Sequence, residues 1–135
     1  MIDFEKYAHF VNAVTSEESK DYISFNSRCF ELQTGDDGIP IHRLITAALG
    51  MGAESGEFTE VVKKIVFQGK PVNEDNIFHM KRELGDIMWY VAQACMSLDT
   101  TIDEIIEMNV EKLQARYPGG SFDVHKSENR KEGDL

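Results

Sequence analysis

Positive charge, cysteine and long apolar runs are all scarce in this chain, and each shortage closes off a class of function. Lys and Arg number 14 against 24 Asp and Glu, a formal net charge of −10 with a pI near 4.8. A surface that grips a nucleic-acid backbone concentrates cations on one face, so nucleic acid is excluded as a partner. No run of about 18 apolar residues occurs, and the opening residues, with Asp3 and Glu5, lack the basic and apolar regions of a secretion signal. We expect a cytoplasmic protein with no membrane partner. The two cysteines, Cys29 and Cys95, share no metal-binding spacing, and Cys95 in an apolar stretch reads as a buried free thiol. A P-loop, a G-x-S-x-G elbow and an EF-hand loop are also missing.

Apolar material is sufficient. With 41% hydrophobic and 10% aromatic residues, the 135-residue chain can bury the core of one globular domain, which we place at residues 1–120 with a polar tail at 121–135. Phe4, Tyr7, Ala8, Val11 and Val14 recur at helical spacing over Asp3–Val14. Thr15 and Glu18 have capping-box spacing ahead of a second helix through Ile23 and Cys29 to about Leu32. After the turn at residues 34–38, Pro40 suits the first turn of a long helix ending before Gly69. Its apolar row is Leu44, Ala47 or Ala48, Met51, Phe58, Val61 and Ile65. Gly50, Gly52 and Gly56 lie inside it, each costing about 1 kcal/mol relative to alanine, which calls for a bend or a close approach by backbone or ligand. A clearer helix spans Glu74 to Leu98, and the last runs from a Thr101–Glu104 capping box to Tyr117. No strand pattern or repeat is present, so the fold class is all-α. Any apolar stripe left uncovered would favour self-association.

Acidic pairs interrupt those apolar rows. Glu54 and Glu57 are three apart on one helix, and continuing the row from Ala47 to Ile65 leads across them. Glu83 and Asp86 repeat the spacing at the edge of the apolar face of the next helix. If these helices pack antiparallel about residue 71, Glu57 stands 14 positions before the turn (71−57) and Glu83 stands 12 after it (83−71). The pairs then meet at one height. Carboxylates so placed repel one another and lose solvation. Hard divalent cations with oxygen ligands relieve that conflict, and they let an acidic protein hold a phosphorylated small molecule.

The stretch Ala53-Glu54-Ser55-Gly56-Glu57-Phe58, followed by Arg82-Glu83-Leu84-Gly85-Asp86-Ile87, resembles the paired E-x-x-E and E-x-x-D motif of the MazG-like all-α nucleoside triphosphate pyrophosphatases. Asn109-Val110-Glu111-Lys112-Leu113-Gln114-Ala115-Arg116-Tyr117-Pro118 is similar to the last-helix N-x-x-K-x-x-x-R-Y-P stretch of that family. The likeness covers about Leu44 to Tyr117. It implies an antiparallel helical bundle, a homodimer or homotetramer, and Mg²⁺ with Mn²⁺ as a substitute. It also implies hydrolysis of a nucleoside triphosphate to monophosphate and pyrophosphate, with Glu54, Glu57, Glu83 and Asp86 as metal-binding and catalytic residues.

Four further positions are candidates for substrate contact. Asn109, Lys112 and Arg116 share a helix face that could meet phosphate oxygens or stand as a solvated basic surface. Tyr90, four beyond Asp86, could bond a sugar or carboxylate, stack on a base, or pack as a core aromatic. Trp89 is expected to pack, with a nucleobase platform as its other reading. His9, His42, His79 and His125 form no ligand cluster in sequence, although His79 is four before Glu83. An iron-carboxylate bundle is disfavoured because no Glu-x-x-His pair occurs. The rivals are a helical module that binds a nucleotide without cleaving it, phosphoribosyl-ATP pyrophosphohydrolase and all-α dUTPase.

Overall fold

Short acceptor side chains decide where most of the helices begin. Asp3, Asp21, Asn73, Thr101 and Asp123 each accept a hydrogen bond from the backbone N–H three residues on, which satisfies a donor that the first turn leaves unpaired. The computed structural model describes residues 1–134. Its elements are α1 (Phe4–Ala13), α2 (Glu17–Lys20), α3 (Tyr22–Thr34), α4 (Ile41–Phe67), α5 (Glu74–Ser97), α6 (Ile102–Arg116) and α7 (Val124–Glu128). Among the described residues there is no strand, as an all-α fold requires, and no helix long and apolar enough to cross a membrane.

Two compact units divide the chain, Met1–Ile45 and the part from Thr46 onward. In the first, the capping box expected at Thr15 is not made. The Thr15 hydroxyl donates back to the Val11 carbonyl at 2.6 Å, and Ser16 takes the N-cap position. The single helix expected there is broken at Asp21, which lies in extended backbone (φ −124°, ψ 122°). Its carboxylate accepts from both the N–H and the hydroxyl of Ser24 at 2.8 Å, so α3 restarts. An aspartate can bond local backbone outside the helix, and here that local option wins.

In the second unit, α4 folds back into α5 through a turn built on Gly69. Its φ of +69° is a left-handed value that glycine adopts without a Cβ penalty, and it lets the Lys70 N–H reach the Lys64 carbonyl at 3.1 Å. Asn76, nearly buried, locks the far side of the turn by donating from Nδ2 to the Pro71 carbonyl at 2.6 Å. The two helices are antiparallel. Gly50 on α4 lies against the ring of Tyr90 on α5, and the pair stands symmetrically about position 70. Ala47, Val61 and Cys95 form the buried apolar centre, with Met51, Phe58, Ile65, Met80, Ile87 and Val91 half-buried around it. Cys95 is a free thiol, as expected.

A Schellman-type end closes α5: the Thr100 N–H donates to the Cys95 carbonyl at 3.0 Å, with Asp99 at a φ of +51°. Aspartate tolerates that left-handed site better than most side chains. After α6 the chain turns at residues 118–120, with Gly120 at a φ of +74°. The Phe122 ring sits 5.8 Å from that of Tyr117, and α7 follows.

α4 remains helical across its three glycines, and only Gly50 has a neighbour that explains it. A Cβ there would come within 2.1 Å of the Tyr90 ring, whereas Gly52 and Gly56 have nothing within 4 Å. Gly50→Ala should lower stability, because overpacking costs about 1–3 kcal/mol while helix propensity returns only about 1. Gly52→Ala lacks the clash and should be neutral or stabilising by up to about 1 kcal/mol. Urea unfolding of the two variants checks this, and an equal effect of both would contradict the close approach.

Candidate active site

Helical spacing brings carboxylates to the seam between α4 and α5. On α4, Glu54 falls on the same stripe as buried Ala47, Gly50 and Val61, so its side chain is drawn half out of water, while Glu57, one turn on, stays exposed. On α5, Glu83 occupies the stripe that also carries Asn76, Ile87 and Tyr90, and it is only 6% exposed. One carboxylate oxygen from each of Glu54, Glu57 and Glu83 lies within 4.8 Å of the other two. Asp86 is exposed and outside this tightest set, yet its charge acts on Glu54.

The electrostatics of the seam are unfavourable without a counter-charge. Burial raises the Glu54 carboxyl above its ordinary value, and the charges of Glu57, Asp86 and Glu83 raise it further. His79, four residues before Glu83, donates from Nε2 to Glu83 Oε1 at 2.9 Å. The other oxygen, Oε2, is buried with no hydrogen-bond partner. An orphaned carboxylate oxygen beside two further carboxylates is a donor set that suits a hard divalent cation, whose ligands are oxygens and whose charge removes the repulsion. The residues present therefore fit a metal. His79 entered the sequence reading only through its spacing, and that spacing was the signal that it supports Glu83.

The candidate substrate residues are distributed differently. Tyr90 is half-buried, its ring against Gly50 and edge-on to Trp89 with centroids 4.9 Å apart. Trp89, expected to pack, is 56% exposed, because one residue along a helix turns a side chain about 100° away from the buried stripe. On α6, Asn109 and Lys112 are exposed. Arg116 is not a solvated cation: Nε and Nη2 donate to the two carboxylate oxygens of Asp134, both at 2.6 Å.

Comparison with known proteins matches the segment that holds these residues. The MazG nucleotide pyrophosphohydrolase domain covers residues 44–121, more than half of the chain. The chain belongs to the MazG family. It is also 37% identical over 81 residues to the "Gene 37 protein" of Mycobacterium phage L5, a match covering 59% of this chain and 71% of the phage protein. No solved structure matches the chain. The MazG match takes in all four carboxylates and the Asn109, Lys112 and Arg116 face, and it stops short of Asp134.

The raised Glu54 carboxyl has a definite consequence for the metal-free protein. A carboxyl whose value is higher folded than unfolded adds stability that is fully present below the ordinary 4.5 and is lost as pH rises through the folded value. Glu54→Gln removes that loss. Thermal melts in chelator between about pH 4 and 8 should show the variant gaining on the wild type as pH rises. Parallel curves would mean that Glu54 is not strained.

Proposed function

We propose that this MazG domain hydrolyses nucleoside triphosphates, ribo or deoxyribo, to the monophosphate and pyrophosphate in a reaction that depends on Mg²⁺, with Mn²⁺ able to substitute. The observation that carries this reading is the convergence of Glu54, Glu57 and Glu83 with one Glu83 oxygen buried and unpartnered. Those three side chains, with Asp86 from the next turn of α5, would hold the cation, and His79 keeps Glu83 turned so that Oε2 is offered to it. Bound there, a divalent cation supplies the charge that lets an anionic triphosphate approach an acidic seam and lowers the pKa of the attacking water.

The remaining work falls to the side chains. Water adds to the α-phosphorus, the α–β bridging oxygen leaves with pyrophosphate, and the proton lost by water passes to a carboxylate. Glu57 suits that step, being exposed where Glu54 and Glu83 are not. Lys112 and Arg116 would meet phosphate oxygens, with Asn109 as an amide donor beside them. Tyr90, stationed by Gly50 at the height of the carboxylates, would contact the sugar or base.

We further propose that the active protein is a homodimer or homotetramer. Leu49 (71% exposed) and Phe67 (82%) lie on α4 and Ile106 (55%) on α6, large apolar side chains that a second copy would cover. Sedimentation should give a mass of two or four times 15.3 kDa. A monomer at high concentration would remove the assembly.

Turnover decides the activity. A panel of NTPs and dNTPs with Mg²⁺ should release pyrophosphate rather than phosphate, and in ¹⁸O-water the label should enter the monophosphate. Glu57→Gln and Asp86→Asn should each cut turnover at least roughly a hundredfold, beyond the usual cost of losing an outer partner of a metal site. Retained turnover in either variant, label in pyrophosphate, or activity that survives chelation would refute the proposal.

A further inference from the structure

The C-terminal segment encloses a second region of charge, opposite in sign to the carboxylate seam. A cavity of about 360 Å³ opens between the end of α6 and residues 126–134, and its walls set Lys112, Arg116, Lys126 and Lys131 against Glu132 and Asp134. In a chain of net charge −10, four cations around one cavity are a marked local reversal. The Arg116 and Asp134 side chains are only 11% and 14% exposed, and they pair through two parallel hydrogen bonds of 2.6 Å. The cations Arg116, Lys112 and Arg130 hold the Asp134 carboxyl below its ordinary value.

An arginine fork binds a carboxylate and a phosphate with the same two-point geometry. Breaking a largely desolvated ion pair is costly unless another anion takes the vacated place. Arg116 lies inside the matched MazG domain, whereas Asp134 lies beyond it. We propose that Asp134 is a built-in competitor for phosphate at Arg116, and that the surrounding cavity accepts a polyphosphate chain when this carboxylate is displaced. The proposal rests on the phosphate-facing role given above to Lys112 and Arg116. It adds that the segment after α6 restrains that role. Pyrophosphate and the triphosphate of a nucleotide share the required chemistry.

Binding in chelator separates this from turnover, because neither metal nor hydrolysis enters the measurement. Inorganic pyrophosphate and ATP are titrated calorimetrically into the full chain. Asp134→Asn, which keeps shape and removes the charge, should bind at least one of them roughly tenfold or more tightly than the wild type, in line with the strength of hydrogen bonds to charged groups. A gain for ATP alone assigns the cavity to substrate, and a gain for pyrophosphate alone assigns it to product. Adding Arg116→Gln to Asp134→Asn should abolish the gain. Unchanged or weaker binding by Asp134→Asn, or a gain that persists without Arg116, would overturn the proposal. A readout on the unmodified protein guards against a variant that merely loosens the fold. The Arg116 Nε–H resonance should move to saturation as pyrophosphate is added, and a resonance that stays fixed would equally overturn it. Failure here would leave the hydrolytic reading intact, and absent turnover in the wild type would leave this binding result intact.

Discussion

The convergence of like charges at the seam of α4 and α5 is the constraint on which the site depends. Three carboxylate oxygens within 4.8 Å of one another, one glutamate almost wholly buried, cannot be favourable on their own. They are held there by features remote from charge. The left-handed Gly69 turns the chain, the Asn76 amide clamps the turn, and the close contact of Gly50 with Tyr90 fixes the register of the two helices. A slip of one residue would rotate Glu83 by about 100° and take it off the seam. The glycine that costs helix propensity thus sets the height at which the carboxylates meet.

Much of this was legible because it is written in short-range spacing. Pairs three apart on a helix, an apolar row that runs through them and a glycine turn between the helices were enough to bring Glu54, Glu57 and Glu83 together. A turn centre taken at residue 71 rather than 70 did not spoil the expectation, since side chains of this length span the difference. The N-caps at Asn73 and Thr101 are equally local. Asp21 and Thr15 were harder. Both can bond backbone inside or outside a helix, and the choice between those options is a small energy difference that a spacing pattern does not carry.

The Arg116–Asp134 pair is of another kind. Its members are 18 residues apart, joined by a segment without helical periodicity that sequence alone presents as a polar tail. A bidentate contact at that separation depends on the turn at Pro118–Gly120, the packing of Phe122 on Tyr117 and the short helix α7 acting together. None of these has a strong signal by itself. Trp89 was misjudged for a related reason: its apolarity argued for burial, but its angular position on α5 puts it a quarter-turn from the buried stripe.

Charge is therefore segregated along this chain rather than balanced. The seam concentrates carboxylates, and the cavity at the end of α6 sets four cations against two carboxylates. On the reading proposed above, a metal-bound triphosphate would bring charge of the sign that each region lacks. Each region also carries a partial internal substitute. At the seam, His79 engages one oxygen of Glu83 and leaves the other unpaired, which keeps the cost of waiting for a cation below that of a wholly unsupported carboxylate. At the cavity, both oxygens of Asp134 accept from Arg116, one from Nε and one from Nη2. The two substitutions differ in what an incoming ligand must do. At the seam a cation would meet an oxygen that has no hydrogen-bond partner, whereas at the cavity an anion would have to evict an oxygen pair already in place, so the α6 side is the more restrained of the two.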